Sequence, residues 1–226
     1  MTYEIRTQII ADLPQKAYRN GVGNYEGVVA HATAVMNDSD ENQLKYFIGN
    51  WKTRKAFAHF FNDHDSITNM ADIRYVAWGA GATANQRYVH CELCQSTDKA
   101  KFEEAYKRWT WLMAKILFDK KLGVKDGVTL VSHKFCSDTF KDTTHQDPME
   151  YLAYHGKKWS DVVYDVTLWY QKMEGIDMEQ NDAQVIIKYL QRAWASAITQ
   201  QEKDEIHRVA NALRKAVGIN EQQKEI

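Results

Sequence analysis

Proline is scarce in this chain, with only Pro14 and Pro148 in 226 residues, so segment boundaries have to come from glycine and polar clusters. Cysteine is scarce too. Three residues, Cys91, Cys94 and Cys136, are too few and too odd in number for a disulfide framework. Cys91 and Cys94 form a Cys-x-x-Cys pair, but no second pair stands at zinc-ribbon spacing, and a reduced site of synthesis fits better. Net charge is nearly absent at −1, which removes the usual electrostatic case for nucleic acid or an anionic membrane as partner. No apolar stretch reaches membrane-spanning length, so no stable membrane insertion is expected. The opening Met-Thr-Tyr-Glu-Ile-Arg lacks a basic-then-apolar run, and the expectation is synthesis in the cytoplasm without an export signal. No phosphate-cradling glycine loop and no internal repeat is found.

What is present is a globular balance of 44% hydrophobic and 26% charged residues, enough for one ordinary domain and a small appendage. Seven Trp, twelve Tyr and eight Phe suit a core as well as a carbohydrate or peptide groove. The pattern predicts strands at 27–34, 56–61, 73–78, 87–94 and 128–133, and helices at 42–50, 98–121 and 149–155. On 87–94, alternation puts Val89, Cys91 and Leu93 on one face and His90, Glu92 and Cys94 on the other. Phe102, Ala105, Trp109, Leu112, Met113 and Ile116 form the apolar stripe of the long helix. The expected architecture is α/β, a central mixed sheet flanked by helices. Residues 174–181 read as a linker, dividing a domain at 1–173 from a helical hairpin within 182–226. Its second helix starts at Thr199-Gln-Gln-Glu202, which has capping-box spacing.

The chemistry gathers between His133 and Pro148. A hydrolytic zinc needs three protein ligands and one open position. His31 and His133 both fall near the ends of predicted strands, where neighbouring strands can present them together. The third ligand should come from Thr143-Thr-His-Gln-Asp-Pro148, where residues two apart face the same way and Pro148 biases Asp147 towards an extended backbone. By geometry His145, Asp147 and Cys136 all remain open, although Cys136 reads more simply as a loop thiol.

Taken in order, Val29-Ala-His-Ala-Thr-Ala34, Ala58-His-Phe-Phe61, Ala77-Trp-Gly-Ala-Gly81, Asn85 to Cys94, Val131-Ser-His133 and Thr144-His-Gln-Asp-Pro148 resemble the zinc-dependent N-acetylmuramoyl-L-alanine amidases. This is the amidase-2 family, with the peptidoglycan-recognition-protein fold and with phage endolysins and bacterial autolysins among its members. The resemblance covers roughly residues 20 to 156. It implies Zn2+ on His31, His133 and Asp147, with Glu92 as general base or water-orienting group and His145 beside the reacting carbonyl oxygen. Ala32 departs from the family's more usual Tyr or Asn after the first histidine. It also implies that Trp78, the Gly79–Gly81 loop, Asn85 and Thr144 border a substrate cleft. His90, sharing a face with Glu92, is a candidate to orient it, while His59 and His64 read as structural or surface residues.

The implied reaction is hydrolysis of the amide between N-acetylmuramic acid and L-alanine in peptidoglycan. Zinc answers a poor electrophile and a poor nucleophile together, by polarising the carbonyl and bringing a water's pKa to about 7. A peptidase cutting within the stem would need another ligand pattern, and no His-Glu-x-x-His occurs. A non-catalytic receptor of the same fold would lack the ligands. The expected partner is therefore peptidoglycan, reached by an endolysin after a holin-type lesion. The C-terminal helices are left to bind wall polymer, to pair with a second copy in a homo-oligomer, or to cap apolar surface.

Overall fold

A computed structural model describes residues 2–175 and 180–218. Half of the expected linker, residues 176–179, and the end of the expected C-terminal module, 219–226, lie outside the described residues. The chain divides into two compact units, Met1–Glu174 and Gly175–Ile226.

In the first unit the strands are β1 (Arg6–Thr7), β2 (Gly27–Met36), β3 (Phe60–Asn62), β4 (Ile67–Asn69), β5 (Tyr88–Gln95) and β6 (Leu130–Ser132). The helices are α1 (Asp40–Arg54), α2 (Gly81–Asn85), α3 (Lys99–Asp119), α4 (His133–Phe140), α5 (Met149–Tyr154) and α6 (Trp159–Met173). The strands form one mixed sheet in the order β1-β4-β3-β5-β2-β6, parallel except between β3 and β4. Parallel strands need crossovers, and α1, α3 and the segments around them supply these.

One face of the sheet is sealed by α3. Val28, Ala30, Val89, Cys91, Leu93 and Leu130 pack with Phe102, Trp109, Leu112 and Met113 of the predicted helical stripe in the main hydrophobic cluster. The Trp109 indole N–H donates to the Cys91 carbonyl at 3.0 Å, so the largest buried side chain also satisfies its polar atom. Asp98 caps α3 by accepting from the backbone N–H groups of Ala100 and Lys101. Cys91 is thus a core residue.

The opposite face carries the chemistry. β2 and β5 pair in parallel with His31 opposite Glu92 and Val29 opposite His90, so all four side chains share that face.

Several boundaries differ from the sequence reading. Ile73 to Trp78 forms no strand; Tyr75 and Trp78 make only isolated bridges, to Ala17 and Phe57. The expected strand at 56–61 is regular only from Phe60, because Phe57 pairs with that irregular segment instead. Cys136 lies in α4, wholly buried against Val29, Val131 and Ala84, and is not a loop thiol.

In the second unit, α7 (Gln180–Ser196) and α8 (Gln200–Ala216) form the expected hairpin. Thr199 and Glu202 make the capping box, with Oγ1 accepting from the Glu202 N–H at 3.2 Å and Oε2 from the Thr199 N–H at 3.1 Å. The apolar residues of α7 do not all turn inward. Ala183 and Ile187 are buried, whereas Val185, Tyr189 and Trp194 are exposed.

Candidate metal centre

His31 lies in the middle of β2, which runs on to Met36, and His133 is the first residue of α4, directly after β6. Ser132 caps that helix by accepting from the Phe135 N–H at 3.0 Å, which fixes where the chain turns and hence where His133 points. Because β6 pairs with β2, Ala30 opposite Ser132, the two imidazoles arrive side by side with ring centroids 4.7 Å apart.

Asp147 comes from the loop between α4 and α5. Two bonds from α4 hold that loop: the Lys134 N–H donates to the Asp147 carbonyl at 3.0 Å, and the Ser137 hydroxyl to the His145 carbonyl at 2.7 Å. The carboxylate then stands between the imidazoles. Oδ2 is 3.0 Å from His31 Nδ1 and Oδ1 is 3.0 Å from His133 Nδ1, while the Ala32 N–H adds a bond to Oδ2 at 3.3 Å. Burial works against the Asp147 charge, but hydrogen bonds and charge from His133 and His31 prevail and hold its pKa far below the carboxylate range.

His31 and His133 are almost fully buried, and each has its distal nitrogen engaged. His31 Nε2 lies 3.1 Å from His90 Nδ1, and His133 Nε2 lies 2.9 Å from Thr143 Oγ1. Burial lowers the pKa of His31 despite its bond to Asp147, and lowers that of His90 further. His90 therefore serves His31 and not Glu92, as its place on the strand had suggested. His59 is structural as expected, but it is a buried link. Its Nδ1 accepts the His90 backbone N–H at 2.9 Å, and its Nε2–H faces the Tyr75 carbonyl at 2.9 Å. Thr143 was not singled out by the sequence reading; its place two residues before His145 in a threonine pair was the only signal.

Glu92 lies on the same face, partly buried. Its Oε2 is buried without a hydrogen-bond partner, and burial first, then the nearby Asp147 charge, push its pKa well above the usual carboxylate range. His145 stacks on His133 with centroids 4.9 Å apart and planes 8° from parallel, and its side chain is 71% exposed. It thus stands at the open side of the group. Asn85 Oδ1 accepts from the Gly79 and Ala80 N–H groups at 3.0 and 2.9 Å, shaping the loop before α2. Trp78 packs on Trp51 and Phe57 with its ring half-buried, and Thr144 is exposed beside His145.

These residues fit a metal ion. One ligand atom from each of His31, His133 and Asp147 lies within 4.8 Å of the others. Two imidazole nitrogens and a carboxylate oxygen suit Zn2+ and leave a fourth position free. The partnerless buried Glu92 oxygen lies beside that group, where a further polar species would satisfy it. Cys136 contributes nothing, being turned into a separate hydrophobic cluster.

One face of the mixed sheet thus carries two buried histidines and a half-buried aspartate that could hold a metal ion, next to a carboxyl with one unpartnered oxygen. The chain belongs to the N-acetylmuramoyl-L-alanine amidase family, whose sequence model matches residues 22–150. It is 33% identical over 167 residues to an endolysin of Listeria phage A511, covering 68% of this chain and 46% of that protein. It is 34% identical over 160 residues to a bifunctional autolysin of Staphylococcus aureus, covering 68% of this chain and 12% of that protein. The chain therefore spans less than half the length of either relative. Among solved structures, the Staphylococcus aureus hydrolase AmiA in complex with its ligand superposes with a TM-score of 0.73 at 28% identity, covering 77% of this chain and 87% of that one. The catalytic domain of XlyA shares the fold at a TM-score of 0.57 and 17% identity, covering 72% and 99%.

Proposed function

We propose that the protein is a zinc-dependent N-acetylmuramoyl-L-alanine amidase. It cleaves the amide between the lactyl group of N-acetylmuramic acid and the L-alanine of the stem peptide, acting as a phage or prophage endolysin. One observation carries the reading: buried His31 and His133 converge on the half-buried Asp147, each hydrogen-bonded to one of its oxygens, beside a carboxyl with an unsatisfied oxygen. Family membership supplies the bond that is cut.

When bound by these residues, Zn2+ supplies Lewis acidity towards the carbonyl and makes water more acidic. Glu92 takes the proton of the attacking water and returns it to the departing amine of alanine. One carboxyl thus acts first as general base and then as general acid. His145, exposed and stacked on a ligand, donates to the carbonyl oxygen as negative charge develops there. Asn85 shapes the Gly79–Ala80 turn, and Trp78 and Thr144 border the groove that takes the glycan-linked peptide.

Residues 1–173 make the catalytic unit, and the C-terminal helices make a separate module that binds wall polymer. The endolysin and autolysin relatives support action on the wall, which an endolysin synthesised inside the host reaches through a holin-made lesion.

Digestion of purified peptidoglycan followed by mass spectrometry tests the reading. The expected products are stem peptides with a new N-terminal alanine, lost on treatment with chelator and regained on adding zinc. New termini elsewhere, or full activity after the metal is stripped, would overturn it.

A further inference from the structure

An imidazole that binds a cation through one nitrogen must still find a partner for the other. In His31 and His133 the inward atom is Nδ1, each 3.0 Å from a different oxygen of Asp147. A carboxylate only accepts hydrogen bonds. With Asp147 as the sole inward partner, each neutral ring therefore carries its proton on Nδ1 and leaves Nε2 bare. With a cation at Nδ1, the proton sits on Nε2 instead. The outer partner has to donate in the first state and accept in the second. Carbonyls and carboxylates, common in that place, can only accept. Here the outer partners are the His90 imidazole and the Thr143 hydroxyl, and both can do either.

We propose that His90 and Thr143 are reversible positioning residues, which donate to Nε2 of His31 and His133 in the metal-free protein and accept from it in the loaded one. The ligand rings then keep one orientation in both states, and loading needs no side-chain rearrangement. Three neutral imidazoles hold three protons before and after; only the nitrogens that carry them change.

Two features of His90 support the exchange. Its Nε2 is buried without a partner, so either tautomer of His90 leaves the neighbouring hydrogen bonds at that atom undisturbed. Its ring is also clamped. It stacks on His31 with centroids 5.2 Å apart, lies 5.7 Å from His59, and packs against Gly79, where a Cβ would come within 2.7 Å of Nδ1. Thr143 needs only to rotate its hydroxyl.

The inference rests on the metal reading above, and the test separates the two. Nitrogen-15 NMR of the histidine rings, without metal and with zinc, should show His31 and His133 moving their proton from Nδ1 to Nε2, and His90 making the same move. Zinc affinity, read by competition with a chelator, should fall about 10–100-fold in Thr143→Val and recover in Thr143→Ser. Unchanged affinity in Thr143→Val, or a His90 proton on the same nitrogen in both states, would overturn this inference and leave the metal site standing. A wild-type protein that takes up no zinc would overturn both.

Discussion

Leaving a buried carboxyl oxygen without a partner costs about 1–3 kcal/mol or more, and Glu92 Oε2 is such an atom beside His31, His133 and Asp147. Replacing it with Gln preserves shape and burial while removing the base. Glu92→Gln should therefore fold and bind zinc as wild type, with turnover lower by about 10²–10⁴. His31→Ala should lose metal and activity together. Metal content and product formation measured on the same samples check both, and a fully active Glu92→Gln would remove Glu92 from the reaction. His59 allows a prediction of another kind. Burial lowers its pKa to about 4, against about 6.5 in an unfolded chain. The unfolded state therefore takes the proton first as pH falls. His59 contributes its stability in full above about pH 6.5 and loses it as pH drops towards 4, about 3 kcal/mol across the window. Chemical unfolding between pH 4 and 7 should show that slope in wild type, and a shallower one in His59→Gln, which keeps a donor for the Tyr75 carbonyl. Equal slopes would place the buried proton elsewhere. The convergence of His31, His133 and Asp147 was legible because few side-chain types can bind a metal. His59 and Thr143 were not, because any polar residue of suitable reach can support a ligand.

At the scale of elements, the site depends on chain segments that approach too closely for a side chain. Gly79 faces the His90 ring, and the methyl of Gly79→Ala would meet Nδ1 at 2.7 Å, inside any real contact distance. The ring has to move, and with it the hydrogen bond that orients His31. Gly79→Ala should weaken zinc binding about 10-fold or more while the secondary structure stays intact. Chelator competition and circular dichroism together check this, and unchanged affinity would show that His90 does not need its present seat. Most long elements were readable in the sequence, but the 15-residue α6 carried no expectation there. β5 alternates, α3 keeps its stripe over 21 residues, and α8 announces its start with Thr199 and Glu202. The short ones were not. β1 has two residues and β4 three, below any period, and both exist through pairing with distant strands. α4 escaped notice because its eight residues mix Phe, Cys, Ser, Asp and Thr, poor helix formers held by the Ser132 cap and by packing of Phe135 and Cys136.

For the whole molecule, the energetic centre lies within the first unit. Every residue of the three hydrophobic clusters falls at or before Met173. The two C-terminal helices bury few large side chains, and Val185, Tyr189, Trp194 and Ile198 remain exposed, Ile198 at 94%. Such a hairpin is too small to supply a robust core of its own, and it leaves apolar side chains exposed. A chain ending at Glu174 should consequently fold cooperatively, bind zinc and cleave a small soluble muramoyl-peptide at the wild-type rate. What it should lose is sedimentation with insoluble cell walls, because the hairpin is the wall-binding module in the reading given above. Three measurements on the full and shortened chains separate the alternatives: wall sedimentation, solution mass and melting temperature. Loss of wall binding alone supports the module. A halving of solution mass beyond the deleted residues would instead assign the hairpin to pairing with a second copy. A large fall in melting temperature with wall binding retained would make it a cap on the catalytic unit.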